Sequence, residues 1–197
     1  MKSTNEQLQK RGYVTDELEK SFHEVSFEEL LVWLADSLPT KRTVAARRLG
    51  RIVNPDSIEA LCNALEKEKA LYCKMEMANT LILFGKDAVL PLIKRLGKID
   101  NKQYKAPPKK KFGKKSYPLP HDIFARTLMK IGKPALPELC AVLQSDNPAQ
   151  VSEAIDAIGY ICFYSRQEHP DIANLLQSSY QKYTDNTLIK WKLIRAM

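Results

Sequence analysis

Apolar residues recur along the chain in one phrase, an apolar position followed by others three, four and seven places on. It reads Phe27, Leu30, Leu31, Leu34, then Ile58, Leu61, Cys62, Leu65, then Val89, Leu92, Ile93, Leu96. It returns as Leu136, Leu139, Cys140, Leu143 and, more weakly, as Ile172, Leu175, Leu176, Ser179. These offsets line one face of an α-helix. Successive phrases begin 31, 31, 47 and 36 residues apart, a base period of 31 with insertions in the third and fourth units. Between them runs a second series, in which a small or apolar residue is followed three and six places on by larger apolar ones. Its members are Ala46, Leu49, Ile52; Ala78, Leu81, Phe84; Ala125, Leu128, Ile131; Ile155, Ile158, Ile161; and Trp191, Ile194, Met197. Each unit therefore predicts a helical hairpin, with first helices at 26–38, 56–69, 87–97, 134–146 and 168–183 and second helices at 40–52, 70–84, 120–131, 148–163 and 185–197. Pro39, Asn54-Pro55-Asp56, Gly85-Lys86-Asp87, Gly132-Lys133-Pro134 and Asn147-Pro148 fall between helices, where Pro opens a helix and Gly closes one. No stretch alternates at period two over a useful length, so the expectation is an all-α chain without a sheet.

A stacked array leaves an apolar face at each end. At the front, residues 1–25 form a polar segment in which Thr15 is placed to cap a short helix, with Leu18, Phe22 and Val25 covering the first hairpin. The repeats are expected to fill 26–197. At the back, Trp191, Ile194 and Met197 lie on the apolar face of the last helix, which predicts either a natural chain that continues past Met197 or a face that docks on a second chain. Trp33 and Trp191 lie on apolar helices and are expected to pack, Trp33 off the repeating face and so with part of its ring exposed.

In the first unit the second helix carries a basic residue four places before an Ala, then Leu-Gly and an apolar residue: Arg42, Ala46, Leu49, Gly50, Ile52. The next unit keeps Lys74, Ala78, Leu81 and Phe84; the third and fourth have His121 and Val151 at the basic position. This pattern resembles the short HEAT-like repeat of the phycobilisome-lyase type, over roughly residues 26–197. The resemblance implies a right-handed α-solenoid, an α-α superhelix of about five hairpins, with the second helices lining its concave face. It also implies a stacked ladder of acidic and basic side chains, whose basic position the third and fourth units do not keep. About function it is nearly silent, since such repeats serve transport receptors, phosphatase scaffolds, bilin lyases, DNA glycosylases and toxin-immunity proteins.

The 197 residues carry a formal net charge of +8 and are 44% hydrophobic and 27% charged, enough apolar residue for a sizeable core. Where the charge lies is more informative than its sum. Lys98, Lys102, Lys105, Lys109, Lys110, Lys111, Lys114 and Lys115 face one acid, Asp100, across 98–117. With Pro107, Pro108, Pro118 and Pro120, the stretch 98–120 reads as a basic loop interrupting the array. Tyr104, Phe112 and Tyr117 are interleaved with its lysines, a mixture that can stack on bases while the ammonium groups meet phosphates. The second helices are basic as a set and the first helices acidic, and the richest spot holds Lys41, Arg42, Arg47, Arg48 and Arg51. Ala45, Ala46, Leu49 and Ile52 take the buried side of that helix, which leaves Arg47, Arg48 and Arg51 pointing outward. Joined to the concave placement that the resemblance implies, these positions predict a basic groove. Its binding residues are Arg47, Arg48, Arg51, Lys74, Arg126 and Lys130, and Lys109, Lys110, Lys111, Lys114 and Lys115 act as a clamp. An acidic protein or peptide is the expected partner, and nucleic acid in the same groove is the alternative.

Catalytic chemistry finds few footholds. His23, His121 and His169 are isolated, and there is no Gly-x-Ser-x-Gly elbow or phosphate-binding Gly loop. Glu153 and Asp156 lack the aromatic neighbours of a glycosylase site. A non-enzymatic scaffold without metal or cofactor is therefore expected; a bilin lyase or a glycosylase would follow only from the resemblance. Cys62, Cys73, Cys140 and Cys162 form no Cys-x-x-Cys pair and read as packing residues of a reducing compartment. Residues 1–20 lack the apolar core of a signal peptide, and no window approaches the roughly 18 apolar residues of a membrane span. The expected location is the cytoplasm.

Overall fold

A computed structural model describes residues 3–98, 106–107, 116–165 and 169–197. Among the described residues there are twelve α-helices, two 3-10 turns and no strand, the all-α helical-repeat class expected. The chain divides into two compact units, Met1–Pro91 and Leu92–Met197. The first holds α1 (Asn5–Gln9), α2 (Asp16–Ser21), α3 (Phe27–Trp33), α4 (Pro39–Leu49), α5 (Pro55–Lys67) and α6 (Leu71–Leu83). A 3-10 turn at Gly85–Ala88 and α7 (Val89–Ile93) follow. The second unit holds α8 (Ile123–Ile131), α9 (Leu136–Val142), α10 (Pro148–Ser165), α11 (Pro170–Lys182) and α12 (Thr187–Ala196).

The boundaries follow local chemistry. Ser26 caps α3, and Asn54 caps α5 by accepting the Ser57 amide at 2.7 Å, with Pro55 at the first helical position. Gly132, at φ 80°, ends α8 in a left-handed conformation that a side chain would strain. In the first unit α3 packs on α4, α5 on α6, and α4 on α6; in the second, α9 packs on α10, α11 on α12, and α10 on both α8 and α12. Within each unit the second helices of successive hairpins touch one another far more than the first helices do. The repeating phrase forms the core: Ile58, Leu61, Cys62 and Leu65 are buried in the first unit, and Leu136, Leu139 and Leu143 in the second.

Two expectations about the ends change. Thr15 does cap α2, and Phe22 reaches the Trp33 ring edge-on at 5.9 Å. Trp33, expected to be partly exposed, is 2% exposed because Phe22 and His23 close over it and the Lys41 ammonium sits 4.7 Å from its ring centre. On α12 the buried residues are Ile189, Lys192 and Leu193, whereas Ile194 and Met197 are exposed and Trp191 is half-buried. The helix is turned from the expected register because acids on α10 draw Lys192 inward.

Candidate interaction surface

In the first unit, α4 contains no acid, and its cations are neutralised by neighbours on every side. Arg42 forks onto Glu68, Nε to Oε2 at 2.7 Å and Nη2 to Oε1 at 2.9 Å, and donates to the Asp36 carbonyl at 2.7 Å. Glu68 also accepts the amides of Lys69 and Ala70, which opens α6. Burial pushes the Glu68 carboxyl up, but the Arg42 and amide hydrogen bonds outweigh it and hold it below its ordinary value. Lys41 pairs with Asp36 at 2.7 Å. Arg47 bridges Glu76 at 3.0 Å and Glu19 at 2.9 Å, and these bonds, Glu76 foremost, raise its pKa.

The outward placement expected for Arg47, Arg48 and Arg51 holds for one of the three. Arg51 is exposed while touching Glu19 at 2.8 Å, and Arg47 is half-buried. Arg48 is 5% exposed and donates to three backbone carbonyls, those of His23 at 2.7 Å, Phe22 at 2.9 Å and Glu19 at 3.3 Å. The N-terminal segment lies over this side of α4, and Arg48 satisfies the carbonyls of Phe22 and His23, just past the end of α2, and reaches that of Glu19, which also accepts the Phe22 amide. Lys74 on α6 is half-buried.

The second unit arranges its charge the other way. Asp122, Glu153 and Asp156 are the only acids on or capping α8, α10 and α12, and all three are buried. Asp122 caps α8 through the Phe124 and Ala125 amides and also accepts the Gly97 amide at 2.9 Å. Lys192 meets Glu153 at 3.1 Å and Asp156 at 2.9 Å, and Arg195 pairs with Asp156. Burial raises the Glu153 pKa, with Lys192 opposing the shift. What these helices expose is cationic and aromatic: Arg126 and Lys130 on α8, and Phe163 and Tyr164 on α10, whose rings meet at 5.0 Å. The Tyr160 ring meets that of Tyr164 at 4.5 Å, tilted by 48°.

Tyr117, expected to offer its ring to a base, is 5% exposed and packs against Gly159, so it is no stacking platform. Lys109, Lys110, Lys111, Lys114, Lys115, Tyr104 and Phe112 lie outside the described residues. Among the described residues no group of three His, Cys, Asp or Glu is placed to hold a metal ion. No described helix is long and apolar enough to cross a membrane.

Residues 41–67 match the family model described as the PBS lyase HEAT-like repeat. The chain carries a HEAT-like repeat. No curated protein matches it. The HEAT-like match begins within α4 and ends with α5, so the matched stretch runs from the second helix of one hairpin to the first helix of the next. Arg42 stands at the basic position of that HEAT-like unit, and the carboxylate it holds, Glu68, comes immediately after the matched stretch. The buried charges of the second unit escaped sequence reading, although a signal existed. Glu153 and Asp156, three apart on α10, face Lys192 and Arg195, three apart on α12 and one hairpin later.

Proposed function

We propose that this HEAT-like protein is a non-enzymatic scaffold that binds an acidic protein or peptide on the second helices of the unit Leu92–Met197. The observation that carries the reading is the burial of every acid on α8, α10 and α12, which leaves Arg126, Lys130, Phe163 and Tyr164 as the exposed charged and aromatic residues of α8 and α10. Exposed cations interspersed with aromatic rings make a good anchor for an acidic partner, the rings supplying contact area and the charges steering. The close packing of the second helices on one another within each unit supports a binding face built from them. Arg51 and Lys74 are the proposed binding residues of the first unit by itself, and Lys109, Lys110, Lys111, Lys114 and Lys115 are the proposed clamp. Arg48 is not part of it. The exposed side of α12, with Ile194 and Met197, is the proposed face for self-association. The cytoplasm is the proposed compartment, where Cys62, Cys73, Cys140 and Cys162, none of them in a disulfide, stay reduced.

The test is an array of acidic peptides containing aromatic residues, with the best binder titrated at about 50 and 200 mM salt beside a single-stranded RNA of equal charge. Arg126→Gln with Lys130→Gln, and separately Phe163→Ala with Tyr164→Ala, are expected to weaken peptide binding about tenfold or more. RNA binding that is tighter than any peptide, steep in salt and indifferent to the aromatic variant would replace this reading with the nucleic-acid one. With Tyr117 buried, one of the three aromatic residues that favoured nucleic acid is withdrawn.

A further inference from the structure

In the unit Met1–Pro91 the first helices touch one another less than the second helices do, and where they part a groove opens beside α5. It lies between the start of α5 and the segment made of the 3-10 turn Gly85–Ala88 and the head of α7, is half open, and holds about 710 Å³. Every residue that lines it belongs to this unit. Its surface is mainly apolar: Ile58 is buried, Val53 and Leu90 stand 65% and 55% exposed, and Pro55 and Pro91 adjoin them.

Val53 precedes the Asn54 cap, where an apolar side chain ordinarily staples onto the residue five places on, here Ile58. A stapled side chain is covered, whereas Val53 leaves most of its surface to solvent. Leu90 lies between Val89 and Leu92, both buried, and is turned out of the core that they enter. A single exposed apolar side chain is ordinary; two on the walls of one groove, with Ile58 between them in the lining, make a surface that a partner can cover. The charge around it is acidic. Asp56, Glu59 and Asp87 are exposed, against one lysine, Lys86. Asp56 also serves the positive end of α5, but Glu59, a turn further along, is past the reach of that effect. On a chain of net charge +8 the groove is thus a local exception, and its acids act on a cation within roughly a Debye length, about 8–10 Å.

We infer that this groove docks a short segment of a partner protein that presents one large apolar side chain between basic residues, the apolar side chain lying against Val53, Ile58 and Leu90 while its lysines or arginines meet Asp56, Glu59 and Asp87. The volume is within the ordinary range of a binding pocket, and the half-open form lets a polypeptide run on past it. The occupant is opposite in charge to the partner proposed for α8 and α10, so the inference does not rest on that surface.

The experiment follows the methyl resonances of Val53, Ile58 and Leu90 by NMR of the full chain, labelled at isoleucine, leucine and valine methyls. It is titrated with a panel of amidated nonapeptides of lysine and glycine whose central residue is leucine, methionine, phenylalanine or tryptophan. For the best of them, saturable shifts at the three residues are expected, with a dissociation constant in the millimolar range or tighter. Binding is expected to be about threefold or more weaker at 500 than at 50 mM salt, and about tenfold weaker with a central serine or with glutamate for lysine. Val53→Ser with Leu90→Ser, followed at Ile58, is expected to weaken binding about tenfold with the melting temperature unchanged, since both side chains are exposed. Asp56→Asn with Glu59→Gln is expected to weaken it about threefold or more and to leave acidic-peptide binding through Arg126 and Lys130 intact. No saturable shift with any member of the panel, equal binding by the serine-centred peptide, or equal binding by the Val53→Ser, Leu90→Ser protein would overturn the inference. Sedimentation of the concentrated parent as a dimer that this same double variant abolishes would also overturn it, assigning the groove to a second copy of the chain.

Discussion

Replacing Arg48 separates a structural arginine from a recognition arginine. Its guanidinium makes hydrogen bonds of 2.7, 2.9 and 3.3 Å to the carbonyls of His23, Phe22 and Glu19, and the residue is 5% exposed. Each bond from a charged donor contributes on the order of 1.5–3 kcal/mol by itself, and bonds that share one group do not add. Truncation to Ala also leaves the carbonyls of Phe22 and His23 without the donor Arg48 supplied and opens a void, while it removes a buried cation whose desolvation opposed folding. The balance is a loss of about 3 kcal/mol, which for a unit the size of Met1–Pro91 corresponds to on the order of 10–20 °C in melting temperature. Arg48→Met keeps most of the packing and should lose about 2 kcal/mol, and Arg48→Lys should restore little, because one ammonium cannot reproduce the fork. The assay is urea unfolding followed by Trp33 fluorescence in a Trp191→Phe background, since Trp33 touches Phe22 and His23 and reports the N-terminal cover directly. Lys130→Ala, at an exposed position, should change the unfolding free energy by less than about 0.5 kcal/mol. An Arg48→Ala protein as stable as the parent, with weakened binding to an acidic peptide, would refute the structural assignment and return Arg48 to the recognition surface.

Two further outcomes follow from the charge networks. Because Glu68 has its pKa lowered from 4.5 in the folded state, its contribution to stability is present above about pH 4.5 and is lost as pH falls through the folded value. The difference in urea midpoint between the parent and Glu68→Gln should therefore be constant from pH 7 to about pH 5 and shrink in more acid solution; a difference independent of pH would contradict the Arg42 fork. Lys192→Met leaves Glu153 and Asp156 buried beside Arg195 alone and should cost about 3–5 kcal/mol, whereas Lys192→Met with Glu153→Leu should recover much of it. Unfolding monitored at Trp191 checks both variants, and equal losses in the single and the double would show that the cluster is not the source.

Helix positions were legible in the sequence because each hairpin repeats the spacing that buries one face. Ile58, Leu61, Cys62 and Leu65 are buried as that spacing requires, and Asn54-Pro55 opens α5. What periodicity does not carry is the identity of whatever lies across the other face. Trp33 and Arg48 are off the repeating face, yet both are covered by residues 19–23, and the acceptors that bury Arg48 are backbone carbonyls with no side-chain signature. Net charge misled in the same way. Counted along the chain, α10 looks acidic, but Glu153 and Asp156 spend their charge on Lys192 and Arg195, so the helix presents aromatic residues to solvent. Tyr117 sits in a stretch whose lysines and prolines read as loop, and only the missing Cβ at Gly159 reveals the slot it fills.

The ion pairs that stitch the hairpins are short in sequence. Arg42 reaches Glu68 across 26 residues, Arg47 reaches Glu76 across 29, and Lys192 reaches Glu153 across 39. None of these three links skips a hairpin, so closing each one requires only a small loop and can reward a helix pair as soon as its neighbour forms. Each unit is thereby suited to growth by accretion, fast and without a distant strand to await. The same locality sets its behaviour under tension. Pulled by its ends, a unit held by neighbour-to-neighbour clasps gives way one hairpin at a time, and a saw-tooth with several small steps is the force trace such stitching produces.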